Sequence, residues 1–323
     1  MSAIDALSTD ELELAPETPP PTTAGAMKAV LTDERFSDPN WIFERKLDGI
    51  RCVAIRSGPS VTLLSRNDIS QNERYPELVE SFSKERCDRF VVDGEVVAFD
   101  GSGTSFARLA QRGQHYVPVF MYVFDILWLD GRDVRRLPLR TRKRLLRSAL
   151  QFHGSVRWTP HRNRDGEQFF IEACRKGWEG LIAKRADSPY VTTRSRDWLK
   201  FKCEHGQELA VGGFTEPRGS RVEFGALLLG YYRDGRFEYA GKVGTGFDTT
   251  TLHDLAAELR KLERKDPPFT NPAAIKERGV TWVEPKLVAQ IGFTEWTRDG
   301  RLRHPRFLGL RDDKDASEVV REG

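Results

Sequence analysis

The stretch Trp41-Ile42-Phe43-Glu44-Arg45-Lys46-Leu47-Asp48-Gly49-Ile50-Arg51 constrains the fold more than any other, because it sets one lysine among apolar residues and then turns the chain with a glycine. On a strand successive side chains alternate faces, so Glu44, Lys46 and Asp48 share one side while Phe43, Arg45 and Leu47 share the other. A free lysine amine, with a pKa of about 10.4, is protonated at neutral pH and becomes a nucleophile only when burial or neighbouring cations remove the proton. Glu44 and Asp48 push the opposite way. A reactive Lys46 therefore needs offsetting cations or a metal from elsewhere in the chain, whereas an unreactive one is an ordinary lysine at a strand edge.

At 323 residues the chain has room for two domains. No apolar run approaches membrane-spanning length and no basic residue precedes Lys28, so neither a membrane span nor a signal peptide is expected. The four cysteines, Cys52, Cys87, Cys174 and Cys203, are dispersed without a Cys-x-x-Cys pair, which points to a reduced, cytoplasmic setting and away from structural zinc. Net charge is +3. Residues 1–26 hold Asp5, Asp10, Glu11, Glu13 and Glu17 and no lysine or arginine, so the remainder carries +8. A basic body suits a polyanionic partner without requiring one.

Residues 1–26, acidic and ending in a proline run, read as a disordered tail. Strands are expected over Trp41–Leu47, Ile50–Ile55 and Val61–Ser65, the last two forming a hairpin through Arg56-Ser57-Gly58-Pro59-Ser60. A helix over Tyr75–Lys84 precedes a β-branched strand, Arg89–Phe99. A capped helix, Ser105–Arg112, and a doubly apolar buried strand, Val117–Leu129, come next. Pro138–Phe152 reads as a helix whose Arg140, Arg142, Lys143, Arg144 and Arg147 form a solvated face. Glu167–Lys176 is helical, and Gly180–Lys184 and Trp198–Cys203 return to strand.

Texture changes at Cys203–Gln207, where a domain boundary is expected. Five short strands follow, Leu209–Thr215, Ala226–Tyr232, Phe237–Val243, Leu287–Phe293 and Arg303–Phe307, interrupted by one helix over Thr249–Lys265. That count suggests a small Greek-key barrel of the OB type. The expected divisions are thus 1–26, 27–203, 204–314 and a C-terminal tail, 315–323.

Highly polar strings recur at strand ends: Ser65-Arg66-Asn67, Asp93-Gly94-Glu95-Val96, Phe124-Asp125-Ile126-Leu127, Glu179-Gly180-Leu181-Ile182-Ala183-Lys184 and Trp198-Leu199-Lys200-Phe201-Lys202. Singly, Glu95 is a turn carboxylate, Phe124 a core aromatic, and Lys200 with Lys202 an exposed face. Alternation nevertheless puts Lys200 and Lys202 on one side, as two ammonium groups suited to a phosphate and as candidates for the cations Lys46 requires.

In order and wording these strings resemble the covalent nucleotidyltransferase superfamily, most closely the ATP-dependent DNA ligases. Phe43–Cys52, Glu179–Tyr190 and Gly309-Leu310-Arg311-Asp312-Asp313-Lys314 are similar to the ligase module of bacterial end-joining, LigD-type, ligases. The resemblance covers nearly all of Met27–Lys314. It implies an α+β fold: a nucleotidyltransferase domain of antiparallel sheets flanked by helices, then an OB-fold β-barrel. It also implies that Lys46 attacks the α-phosphate of ATP to form lysyl-AMP, that AMP passes to a DNA 5′-phosphate, and that the 3′-hydroxyl across the nick displaces it.

By the same resemblance Glu44 lies against the adenine, Phe124 stacks on it, Arg51 and Glu95 reach the ribose and nearby phosphates, and Arg66 holds the 5′-phosphate. Asp48 and Glu179 would bind Mg²⁺ or Mn²⁺. Lys184, Lys200 and Lys202 would neutralise the α-phosphate. Arg311, Asp313 and Lys314 would assist pyrophosphate departure once their domain closes through a hinge at 203–207. Asp68 stands where many relatives have glycine. The implied setting is a monomer in the bacterial cytoplasm, at the nucleoid, acting on nicked or broken duplex DNA, with Ku or other end-joining proteins as expected partners. Alone or as a module separated from polymerase and nuclease companions, it would serve end-joining repair. The competing readings are an RNA ligase or capping-type nucleotidyltransferase, and a non-catalytic DNA-binding adaptor.

Overall fold

A computed structural model describes residues 2–101, 103–113, 116–203, 205–217, 222–297 and 299–322. Two compact units result, Met1–Cys203 and Glu204–Gly323. Among the described residues no helix is long and apolar enough to cross a membrane.

The first unit is built from two sheets. One runs, edge to edge, Lys28–Leu31, Arg194–Lys202, Gly180–Arg185, Trp41–Lys46 and His161–Arg162, antiparallel except for the first pair. Its outer face buries Trp41, Phe43, Leu181, Ala183, Leu199 and Phe201 against Phe169 and Ala173 of the helix Gly166–Arg175. Each leucine or phenylalanine buried there stabilises by about 1.5–3 kcal/mol. Alternation then obliges the intervening residues, Glu44, Lys46, Lys184, Lys200 and Lys202, to face the other way.

The second sheet runs Val156–Trp158, Phe120–Leu129, Arg89–Val97, Ile50–Ser57 and Ser60–Ser65. The expected hairpin closes it through Gly58, whose φ of +59° suits a residue without Cβ. Ile50, Cys52 and Ala54 point to a core covered by the helices Pro76–Ser83 and Leu139–Ala149, while Val53, Leu64, Phe124 and Trp128 pack on the opposite face with Met27, Tyr190 and Trp198. Trp198 comes from the first sheet, so the two inner faces meet in one aromatic cluster.

Several expectations are corrected. Residues 1–26 were expected to be disordered, yet Ala3–Ala6 and Thr9–Glu13 are helical turns closed by capping boxes, Ser2 with Asp5 and Ser8 with Glu11. Ile4, Leu7 and Ala15 enter the core. Trp128 Nε1 donates to the Thr18 carbonyl at 2.9 Å, and Glu11 pairs with Arg144. The acidic residues are thus used as caps and ion-pair partners. The last residues also pack, with Ala316 and Val319 buried and Val319 accepting from the Tyr232 N–H.

The basic helix is only partly a solvated face. Arg140, Arg144 and Arg147 are exposed, but Arg142 is fully buried and donates through Nε and Nη2 to the two oxygens of Asp125 at 2.8 and 2.9 Å, while Lys143 is buried against Glu44. Helical spacing puts them on the same inward side as Leu139, Leu145 and Leu146, and carboxylates on the facing strands receive them. Nor are all the cysteines reduced: Cys174 and Cys203 form a disulfide, because packing of the Gly166–Arg175 helix on the sheet brings its last turn to the end of the Arg194–Lys202 strand.

In the second unit the long strand His205–Thr215 pairs with Leu227–Arg233 on one side, and on the other with Val288–Phe293 and then Val280–Val283. Arg236–Val243 and Arg306–Leu310 extend the sheet. The helix Thr249–Lys261, capped by Asp248, turns Leu252, Leu255, Ala256 and Leu259 inward. Strand Val280–Val283 was missed because its short run carries no alternation signal, and the last strand begins at Arg306 rather than Arg303. Of the expected hinge, Glu204 lies outside the described residues.

Asp125→Ala leaves the Arg142 guanidinium buried without its counter-ion, a loss of about 3–5 kcal/mol. A lower urea midpoint at unchanged slope is the expected outcome; an unchanged midpoint would show that the pair contributes nothing net.

Candidate active site

Strand register sorts the inner face of the first sheet into three rows. Lys46, Gly180 and Lys202 lie opposite one another, as do His161, Glu44, Ile182 and Lys200, and then Ile42, Lys184 and Trp198. Neighbouring strands lie about 4.8 Å apart, so Lys46 and Lys202 stand roughly 10 Å apart at the backbone. Gly180 between them contributes no side chain. It has φ +147°, and a Cβ there would come within 1.8 Å of the Phe201 carbonyl oxygen. The row stays open because only glycine can occupy its middle.

Lys46 Nζ lies 2.6 Å from Glu179 Oε1. Burial pushes the amine's pKa down, but Glu179, with Glu95 and Asp48 behind it, outweighs burial and holds it above the ordinary lysine value. The resting side chain is an ammonium. The cations on the same face, Lys200 and Lys202, do not offset the carboxylates in this state.

Glu44 is buried between two ammonium groups, Lys143 and Lys184, the latter at 2.7 Å. Burial opposes its ionisation, but the two lysines prevail and lower its pKa. Lys184 is pushed down to about 8, by burial first and then by Lys143, against Glu44 and Asp125. Its Nζ sits 4.0 Å from the Phe124 ring centroid and 3.9 Å from that of Trp198. Arg51 faces the same cluster from the second sheet, 4.7 Å from Phe124, and is held by both oxygens of Asp93, which also accepts from Tyr190 at 2.7 Å. Glu95 lies opposite Arg51 in register, but Asp93 is the carboxylate that Arg51 grips.

At the end of the lysine strand Asp48 Oδ2 accepts from the Phe106 N–H at 2.9 Å. The second oxygen of Glu179, Oε2, is buried without a hydrogen-bond partner, an acceptor position still to be filled. Among the described residues no group of three or more His, Cys, Asp or Glu could hold a metal. Two hard carboxylates fit an ion that takes its other oxygens from phosphate and water, as Mg²⁺ does.

Arg66 follows the Ser60–Ser65 strand in the second sheet, in a turn where Asp68 takes φ +60° and accepts from the Ala24 N–H. Aspartate tolerates this left-handed conformation, so the turn forms without a glycine. Arg311 and Lys314 belong to the second unit. There Arg311 is held by both oxygens of Asp313 at 2.8 Å, and Lys314 pairs with Glu208.

The structure therefore brings Glu44, Lys46, Arg51, Glu95, Phe124, Lys184, Lys200 and Lys202 to the facing sides of two sheets, with Asp48 and Glu179 beside them just outside strand ends. Sequence reasoning missed Lys143, Asp93, Tyr190, Trp198 and His161, although Trp198 and Asp93 lay inside strings it had singled out. A family model described as ATP dependent DNA ligase domain matches residues 21–202, and one described as ATP dependent DNA ligase C terminal region matches residues 220–314. The chain belongs to the ATP-dependent DNA ligase family. Its relatives include the multifunctional non-homologous end joining protein LigD of Pseudomonas aeruginosa, 35% identical over 294 residues. They also include the LigD end-joining repair protein of Mycobacterium tuberculosis, 38% identical over 287.

Each alignment covers 87% of this chain but only 35% and 37% of those proteins, so the chain spans about a third of their length. A mycobacterial DNA ligase D complexed with ATP and MES has 35% identity and a TM-score of 0.67, covering 92% of this chain and 98% of that one. The ligase domain of M. tuberculosis LigD has 34% identity and a TM-score of 0.50, covering 92% and 98%. These likenesses place the ligase among LigD-type ligase modules.

Glu179→Gln removes the main counter-charge on Lys46 and lowers the amine's pKa, so acylation of Lys46 by an amine-directed reagent near pH 8, without nucleotide or metal, is expected to accelerate, about tenfold per pKa unit. Peptide mapping reads it. An unchanged or slower rate at Lys46 would mean that Glu179 does not hold the proton there.

Proposed function

We propose that this chain joins breaks in duplex DNA by ATP-dependent ligation, with Lys46 as the nucleophile. The observation that carries the reading is the paired Lys46 and Glu179 on a sheet face that also presents Lys184, Lys200 and Lys202. The Lys46 amine, once it has given up its proton, attacks the α-phosphorus of ATP. A phosphorus–nitrogen bond forms, the bond to the bridging oxygen breaks, and pyrophosphate leaves with that electron pair. The 5′-phosphate of a break then displaces the lysine, and the 3′-hydroxyl displaces AMP.

The chain's own residues supply positioning and charge. Phe124 and Glu44 receive the base, and Arg51, held rigid by Asp93, borders the same cluster. Lys200 and Lys202 face the α-phosphate across Gly180, and Arg66 serves the 5′-phosphate. Asp48 and Glu179 would hold Mg²⁺ or Mn²⁺, which neutralises phosphate charge and takes Glu179 away from Lys46. Arg311, Asp313 and Lys314 would act on pyrophosphate. The setting proposed is end-joining repair in the bacterial cytoplasm, with Ku as a partner.

The test is charging with α-labelled ATP or GTP, followed by a chase with nicked or blunt-ended duplex, with and without a Ku homologue. Label is expected on Lys46 from ATP, moving to DNA and released on sealing; Lys46→Ala should give neither adduct nor product while keeping its circular dichroism. Transfer from GTP alone, or sealing by Lys46→Ala, would overturn the reading. Unstimulated end sealing would remove Ku.

A further inference from the structure

Glu44 is held from two sides by cations that differ in what they can do next. Lys184 comes from the strand that also carries Gly180, and its Nζ lies 4.0 Å from the centroid of Phe124, the ring on which the base is proposed to stack, with Arg51 at 4.7 Å from the same ring. A base stacked on the side of the ring that Lys184 occupies displaces its Nζ, and with it the 2.7 Å contact to Glu44 Oε2. Lys143 comes from the helix Leu139–Ala149, packs 4.8 Å from the Trp158 ring centroid and contacts the other oxygen, Oε1. Nothing in the reaction calls Lys143 away.

We propose that Lys143 is a specificity-determining positioning residue: it holds Glu44 Oε1 so that Oε2, vacated by Lys184, accepts the exocyclic amino group of adenine. The inference rests on the reading of Glu44 as the carboxylate beside the base. Its physical basis is that a carboxylate almost wholly removed from water protonates unless a cation stays with it, and a protonated acid is a poor acceptor for an amine N–H. The charged and titratable groups facing Glu44 are few. From the helix comes Lys143, from the Gly180–Arg185 strand Lys184, and from the His161–Arg162 strand His161, directly opposite in register. His161 is no substitute, since burial and then Lys143 depress its pKa, and its Nδ1 is buried without a partner. Asp125, which acts on Lys184, is bound to Arg142.

The experiment compares ATP with purine riboside triphosphate, which lacks only the exocyclic amine, as donors for the Lys46 adduct. It is run in wild type, Lys143→Met and Lys143→Arg between pH 6 and 9. A ratio of kcat/KM values on one enzyme preparation is independent of how much of it is folded, so a destabilised variant still gives a reading. Wild type should prefer ATP by about ten- to hundredfold, the range of a hydrogen bond to a charged acceptor, with little change over that pH range. Lys143→Met should reduce the preference to about threefold or less at pH 6 and recover part of it as pH rises and Glu44 ionises; Lys143→Arg should keep it. An undiminished ratio in Lys143→Met, or equal use of the two nucleotides by wild type, would overturn the inference while an adduct at Lys46 leaves the ligase reading standing. No adduct from either nucleotide would overturn that reading, and this inference with it.

Discussion

The Lys46–Glu179 ion pair is the interaction on which the proposed chemistry depends. A lysine on a solvated strand would be an ammonium because water prefers it so; here burial favours the neutral amine, and three carboxylates reverse that preference. The proton is therefore held by groups that a ligand can recruit. In the proposed reaction Mg²⁺ or Mn²⁺ bound with the triphosphate would draw Glu179 off the amine, and the unpartnered Oε2 of Glu179 is where such recruitment would begin. On the proposed function, activation is thereby coupled to substrate binding, and Lys46 without nucleotide and metal stays an ammonium.

The same economy governs the sheet that carries it. One face is an aromatic and aliphatic layer under the Gly166–Arg175 helix, and that packing sets the register by which Lys46, Lys202, Glu44, Lys200 and Lys184 all project to the other face. A one-residue slip would send every one of these side chains into the apolar layer. Stability and chemistry are consequently not separable here: the hydrophobic face fixes the rows, and the rows place the charges. Gly180 marks the point of closest constraint, since the backbone there admits no Cβ.

Much of this was legible in the sequence, for a physical reason. Side chains two apart on a strand share a face, so the common side of Glu44 and Lys46, and of Lys200 and Lys202, follows from the strand period alone. Contacts between elements were not legible. Lys143 sits among arginines on a helix that reads as a solvated surface, and only the facing Glu44 reveals it as a core cation. Asp93 and Glu95 are two residues apart on one strand, and sequence offers no means of telling which one Arg51 takes. Cys174 and Cys203 are separated by 29 residues, and their pairing depends on helix-on-sheet packing. The acidic N-terminal segment was misjudged from composition, because its order comes from apolar anchors at Ile4 and Leu7 and from arginines outside the segment.

The proposed chemistry turns on the protonation state of one nitrogen, and that state is open to direct observation by ¹⁵N NMR of the Lys46 Nζ, titrated free and then with a non-cleavable ATP analogue and Mg²⁺. The free protein should show an ammonium that loses its proton only above the ordinary lysine range, and the ternary complex a pKa lowered by several units toward neutrality. A neutral amine in the free protein, or an ammonium just as persistent in the complex, would contradict it.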